Sequence, residues 1–113
     1  MEIIRLTDKK CVPCEGDVKP YTPAEAEKLA QQISPEWKLA DGTRLTREFG
    51  LANFAEALKF VNDVGAIAEA EGHHPDIFIH NWNKVGITLS THAIEGLSEN
   101  DFILAAKIDE VQK

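Results

Sequence analysis

Phe54, Ala57, Leu58, Val61, Val64 and Ala68 recur at three- and four-residue intervals, so a helix over NFAEALKFVNDVGAIAEAE gathers them into one apolar stripe. This is the expected main core helix. Asn53 is placed to cap it, with Glu56 three residues later, and Gly72 to end it. A shorter helix is predicted over YTPAEAEKLAQQI, with Thr22 as N-cap, Pro23 at the first helical position and Glu25 three residues after the cap. Pro35 disfavours helix at Ser34 and so stops it. A third helix opens with Ser98 and Asp101 in a capping-box arrangement and carries Phe102, Ala105, Ala106 and Ile108 as its apolar stripe.

Between these helices the pattern turns strand-like. Two short runs flank Asp41-Gly42, a strong hairpin signal, and DIFIHNW and KVGITLSTH form a second pair rich in Ile, Val, Thr and aromatic residues. The order α-ββ-α-ββ-α predicts an α+β fold, a four-stranded antiparallel sheet with helices packed on one face. Residues 1–113 are expected to form a single domain, with residues 1–20 an extended N-terminal segment.

Register sharpens the second hairpin, because opposite residues must share a face. Centring the turn on Asn83 pairs Ile77 with Leu89, Ile79 with Ile87 and Asn81 with Val85 on a nearly all-apolar side. The other side then sets Phe78 opposite Thr88, Asp76 opposite Ser90, and His74 opposite His92. With His73 next to His74, three imidazoles are expected to converge at one end of the hairpin.

Composition limits the partners. The chain of 113 residues, 43% hydrophobic and 27% charged, carries a formal net charge of −7, which opposes direct nucleic-acid binding through phosphate contacts. Its apolar runs fall short of the roughly 20 residues that span a bilayer. The start MEIIRLTDKK lacks a signal peptide's order of basic then apolar segments, so a cytoplasmic location is expected.

Cys11 and Cys14 form a CxxC that could be structural, supply half of a zinc site or act as a redox pair. The histidines carry a sharper reading. Neighbouring imidazoles in different protonation states can give one proton and take another, as elimination of water requires. Adjacent like charges discourage simultaneous protonation and help keep one ring neutral as a base. Two other readings stay open: paired histidines that cap a carbonyl or face solvent, and a mononuclear metal site with His73, His74 and His92 as ligands. His80 lies farther toward the turn and is read as a surface or interface residue.

Glu69, His73-His74-Pro75, Trp82, His92 and Asp101, separated by three, six, nine and eight residues, resemble the signature of the pterin-4a-carbinolamine dehydratases. The preceding hairpin and helix and the CVPCEG opening are also similar to family members. This resemblance implies dehydration of a 4a-hydroxytetrahydropterin to quinonoid dihydropterin, in tetrahydrobiopterin recycling, with neither metal nor organic cofactor. It assigns catalysis to His73, His74 and His92, one protonating the leaving hydroxyl and another taking the N5 proton, and matches Trp82 to an aromatic position of the signature.

By register, Phe78, Thr88, Ser90 and Thr91 are the nearest candidates to line a pterin pocket. Asp101 combines a helix-start role with a place beside that pocket. Some members have an acidic residue directly before the paired histidines. Here Gly72 stands there, and Glu69 or Asp76 is the candidate replacement. The resemblance further implies a homodimer or homotetramer. Because some members partner a transcription factor, the contrasting expectation is a non-catalytic pterin-binding or protein-assembly module on the same fold.

Overall fold

A computed structural model describes residues 6–11 and 19–111. Three helices, α1 (Pro23–Ala30), α2 (Phe54–Glu71) and α3 (Glu99–Val111), accompany four strands, β1 (Lys38–Ala40), β2 (Arg44–Gly50), β3 (Asp76–His80) and β4 (Lys84–Leu89). Helix starts follow their caps. At α1 the Thr22 hydroxyl accepts from the Glu25 N–H at 3.3 Å while Glu25 Oε1 accepts from the Thr22 N–H at 2.9 Å, closing the capping box. Those bonds, the Thr22 backbone first, hold the Glu25 carboxyl below its usual range. At α2, Asn53 Oδ1 accepts from the Glu56 N–H at 2.8 Å, and Gly72 ends the helix in the left-handed conformation at φ 67°.

The strands form one antiparallel sheet in the order β1-β2-β4-β3. Leu45, Phe49, Ile77, Ile79, Val85, Ile87 and Leu89 share its helix-covered side, where Leu45, Phe49, Val85, Ile87 and Leu89 are buried. The expected α+β architecture, helices on one face, is the observed one.

Pairing in the second hairpin differs from expectation by two residues. Ile77 faces Ile87, Ile79 faces Val85 and Asp76 faces Thr88, so the loop centres on Trp82 rather than Asn83. The cause lies outside the hairpin: Asn83 is bonded to the end of β2, its carbonyl accepting from the Leu51 N–H and its amide donating to the Leu51 carbonyl, both at 2.9 Å. Asn81 and Trp82 instead take the positive φ values, 46° and 52°, that turn the chain. A two-residue shift preserves the faces, but β3 begins after His74 and β4 ends before His92, so these histidines are not ladder partners.

The apolar stripe of α2 is also rotated. Ala57, Phe60, Val64 and Ala68 are buried, while Phe54 and Leu58 are 50% and 42% exposed. Phe60 takes the inward place by packing on Phe49, ring centroids 4.6 Å apart. The helix carries more apolar surface than the sheet can cover. Residues 6–11, rather than simply running extended, open with a short 3-10 turn at Leu6–Asp8 that packs on α3 and buries Leu6 in the core. With the N-terminal stretch against it, α3 is buried from Asn100 through Ala106.

Candidate active site

The two adjacent histidines part company at the corner after α2. Gly72 turns the chain, the His73 N–H still donates to the Ala68 carbonyl at 3.2 Å, and the extended backbone beyond it sends successive side chains to opposite sides. His73 goes inward, its side chain 12% exposed, and His74 goes outward at 61%. Pro75 then fixes the backbone dihedral into β3.

Inside, His73 Nε2 lies 2.6 Å from Oδ1 of the fully buried Asp101 in the first turn of α3. Asp101 Oδ2 accepts from the Thr91 hydroxyl at 2.8 Å and the Ser98 backbone N–H at 3.0 Å. Since the single Thr91 hydroxyl hydrogen is directed there, the Ser98 hydroxyl donates to Thr91 Oγ1, 2.8 Å away. The carboxylate is thus oriented by three donors, and as an acceptor it selects the His73 form with hydrogen on Nε2. Asp101 takes the expected helix-start role, accepting from the Ser98 N–H, and it meets His73 and Thr91 behind the cavity beside His92 rather than lining it.

Outside, His74 Nε2 lies 2.5 Å from Glu69 Oε1. Glu69, one turn back on α2, gives the corner a carboxylate even though Gly72 cannot. Asp76 sits at the start of β3, exposed, opposite Thr88.

His92 lies in a 3-10 turn, His92–Ile94, exposed and directly following Thr91. The loop closes on itself, with the Thr91 N–H donating to the Gly96 carbonyl at 2.8 Å. Gly96 leaves no room for a side chain, since a Cβ there would stand 2.6 Å from Pro20 Cβ. Ser90, Thr91 and His92 line one wall of a cavity of about 340 Å³ that Thr43, Arg44, Glu95 and Gly96 complete. Thr91 therefore links the site's two parts: its hydroxyl reaches the Asp101–His73 pair and its neighbour His92 faces the cavity.

The remaining expected contacts lie elsewhere. Phe78 projects on the sheet's open face, 66% exposed and stacked on His80 at 5.1 Å, and Trp82 is 60% exposed at the hairpin tip. Thr88 lines a larger groove of about 480 Å³ on that face, with Glu36, Lys38, Thr46, Arg47, Glu48, Gly86 and Ile87. His80, read as a surface residue, pairs there with Glu48. The cavity beside His92 is smaller, but it is walled by a histidine of the expected trio and joined through Thr91 to the Asp101–His73 pair, so it is the candidate site. Thr43, Arg44, Glu95 and the Ser98 hydroxyl escaped the sequence reading. The first two reach the cavity because β2 lies beside β4 and sets Leu45 opposite Leu89, an adjacency the local pattern does not carry.

Cys11 donates its thiol to the Asn100 carbonyl at 3.5 Å, and burial, followed by the charge of Glu71, pushes that thiol up to about 12. It is a neutral donor rather than a ready thiolate. Cys14 lies outside the described residues, where the CxxC expectation goes with it. Among the described residues no group of three or more His, Cys, Asp or Glu side chains is placed to hold a metal ion.

Comparison with known proteins shows the family. Residues 19–111 match the family model described as "Pterin 4 alpha carbinolamine dehydratase". A Methylococcus capsulatus protein named "Putative pterin-4-alpha-carbinolamine dehydratase" is 51% identical over 112 residues, covering 98% of this chain and 96% of its own. An identically named Alkaliphilus metalliredigens protein is 48% identical over 107 residues, 95% of this chain and 96% of its own. Among solved structures, a transcriptional coactivator/pterin dehydratase from Brucella melitensis has a TM-score of 0.77 at 29% identity, over 84% of this chain and all 100% of its own. A pterin dehydratase-like protein identified as a RuBisCO assembly factor in the alpha-carboxysome has a TM-score of 0.57 at 26% identity, over 67% of this chain and 88% of its own. The chain belongs to the pterin 4 alpha carbinolamine dehydratase family.

Proposed function

We propose that the chain dehydrates a 4a-hydroxytetrahydropterin to quinonoid dihydropterin, as in tetrahydrobiopterin recycling. The C4a–O bond breaks as the hydroxyl leaves protonated as water, and loss of the N5 proton lets the nitrogen lone pair form the C4a–N5 double bond. Both transfers are within the reach of histidine. The observation that carries this reading is the Asp101-held His73, joined through Thr91 to a cavity walled by His92. A carboxylate beside each of His73 and His74 bonds its Nε2 and so fixes how that ring is turned. Ser90 and Thr91 offer polar contacts to the pterin, and Phe78, Trp82 and Thr88 stand farther out on the open face and hairpin tip. In this reading the pterin is substrate and no metal or organic cofactor takes part, so dialysis against a chelator leaves the rate unchanged. The decisive measurement is rapid mixing with freshly generated 4a-hydroxytetrahydropterin. The wild type is expected to exceed the spontaneous rate, and His73→Ala, His74→Ala and His92→Ala each to lose about 10²-fold or more while folded.

The second reading, a protein-assembly module, draws on the names of the two structural neighbours and on exposed Phe54 and Leu58 of α2, which also favour self-association. It predicts partner capture with no rate above the spontaneous one. A homodimer or homotetramer is expected by analytical ultracentrifugation.

A further inference from the structure

We propose that the stretch Leu6–Cys11 is a strap that positions the His73–Asp101 pair, acting through Cys11 and its buried partner Glu71. Only the activity arm of the test rests on the dehydratase reading. The members of the pair come from different elements: His73 follows the end of α2 and Asp101 sits in the first turn of α3. Their 2.6 Å contact holds only while those two helix ends keep their spacing. The strap is bonded to both sides of that seam. On the α2 side the Cys11 N–H donates to Glu71 Oε1 at 2.8 Å, two residues before His73. On the α3 side the Cys11 thiol donates to the carbonyl of Asn100, the residue before Asp101, at 3.5 Å, and Lys9 Nζ donates to Glu99 Oε2 at 2.7 Å.

Glu71 ties the two sides directly. Its carboxylate, 7% exposed, also accepts from Lys107 Nζ of α3 at 2.7 Å. Burial alone would raise the Glu71 carboxyl, but Lys107, the Cys11 N–H and the charge of Lys10 outweigh it and hold the group below its usual range. The neutral Cys11 thiol suits its part as a donor. Leu6, buried in the core, anchors the strap's other end. Residues 6–11 lie ahead of the 19–111 stretch that the family model matches, so this support is additional to the matched domain.

The test uses full-length Glu71→Ala, Glu71→Gln and Lys9→Ala, with Thr22→Ala as a control that weakens the cap of α1, a helix that carries neither member of the pair. Because a displacement of about 1 Å costs on the order of 10²-fold in rate, Glu71→Ala is expected to lower kcat about 10- to 100-fold with KM within about two-fold. Glu71→Gln, which keeps an acceptor for the Cys11 N–H, recovers most of that loss. Lys9→Ala, at the exposed end, costs about two- to three-fold and keeps the test open if Glu71→Ala does not fold. Thr22→Ala lowers Tm without lowering kcat. In parallel, the His73 imidazole resonances in ¹H–¹⁵N spectra shift and broaden in Glu71→Ala and hold in Thr22→Ala. Unchanged His73 resonances in the folded Glu71 and Lys9 variants, or rates that follow Tm across all four, overturn the strap. If the resonances of the variants move as stated while the wild type shows no dehydratase activity, the strap stands and the dehydratase reading fails.

Discussion

His73 meets Asp101 among the helices, and His80 meets Glu48 on the sheet's open face, so the same pair of functional groups occurs in two surroundings. The first pair is 12% and 0% exposed and its carboxylate is oriented by two further donors, from Thr91 and Ser98. The second is 30% and 55% exposed and lies against Phe78. Water screens an exposed pair and leaves its side chains free to separate, whereas a buried, fully bonded pair keeps one geometry. Contact between a histidine and an acid therefore says little about function. The surrounding network decides whether a proton is held at a defined place.

The largest effect that tests this difference comes from Asp101→Ala. It strands the His73 ring, the Thr91 hydroxyl and the Ser98 N–H in a closed interior, and removing one partner of a buried pair costs about 3 kcal/mol or more. Urea denaturation should show that loss, and any folded fraction should have lost about 10²-fold or more of its dehydration rate. A loss of stability under about 1 kcal/mol would make the buried pair no different in kind from the exposed one.

His74→Ala separates the two quantities. With 61% of the ring and 81% of its partner Glu69 exposed, the pair contributes at most about 0.5 kcal/mol to folding. The rate is nonetheless expected to fall about 10²-fold, because the ring is proposed to move a proton. Equal urea midpoints with unequal rates confirm the split, and a lost fold would move His74 to the structural side.

How much of this the sequence carries follows from the range of each interaction. Thr22, Asn53, Asp41-Gly42 and Gly72 act within a few residues, so caps, turns and elements were legible, and side-chain alternation gave the faces of β3 and β4. The pairing of Asn83 with Leu51, which shifted the hairpin by two residues, joins positions far apart and leaves no local pattern. The same holds for the neighbourhood of β2 and β4 that brings Thr43 and Arg44 to His92. Adjacency in the chain also misled: His73 and His74 read as one cluster, yet an extended backbone sends neighbours apart, and only the carboxylates at Asp101 and Glu69 show where each goes.

Glu71→Gln asks whether the corner's support has its own pH signature. A carboxyl held below its usual range in the fold stabilises the protein fully above the unfolded value, near 4.5, and loses that contribution as pH falls through the lower folded value. The wild-type urea midpoint should therefore decline below pH 4.5 more steeply than that of Glu71→Gln. At pH 7 the variant is less stable by about 1–2 kcal/mol, the loss of hydrogen bonds to a charged group. Parallel acid limbs would show that Glu71 is not held as the ion.

The smallest effect belongs to His80→Ala. This change removes the Glu48 pair and the 5.1 Å stack on Phe78, both on a face open to water. Stability should move by less than about 0.5 kcal/mol, and less again in 0.5 M salt, where exposed charges are screened within about 4 Å. The dehydration rate should stay within about two-fold. A ten-fold loss of rate in a folded His80→Ala would place the chemistry on the open face, where the 480 Å³ groove and Phe78 would become its walls and the buried network a structural support. An unchanged rate, set beside the loss in His74→Ala, leaves the corner as the place where histidines do chemistry.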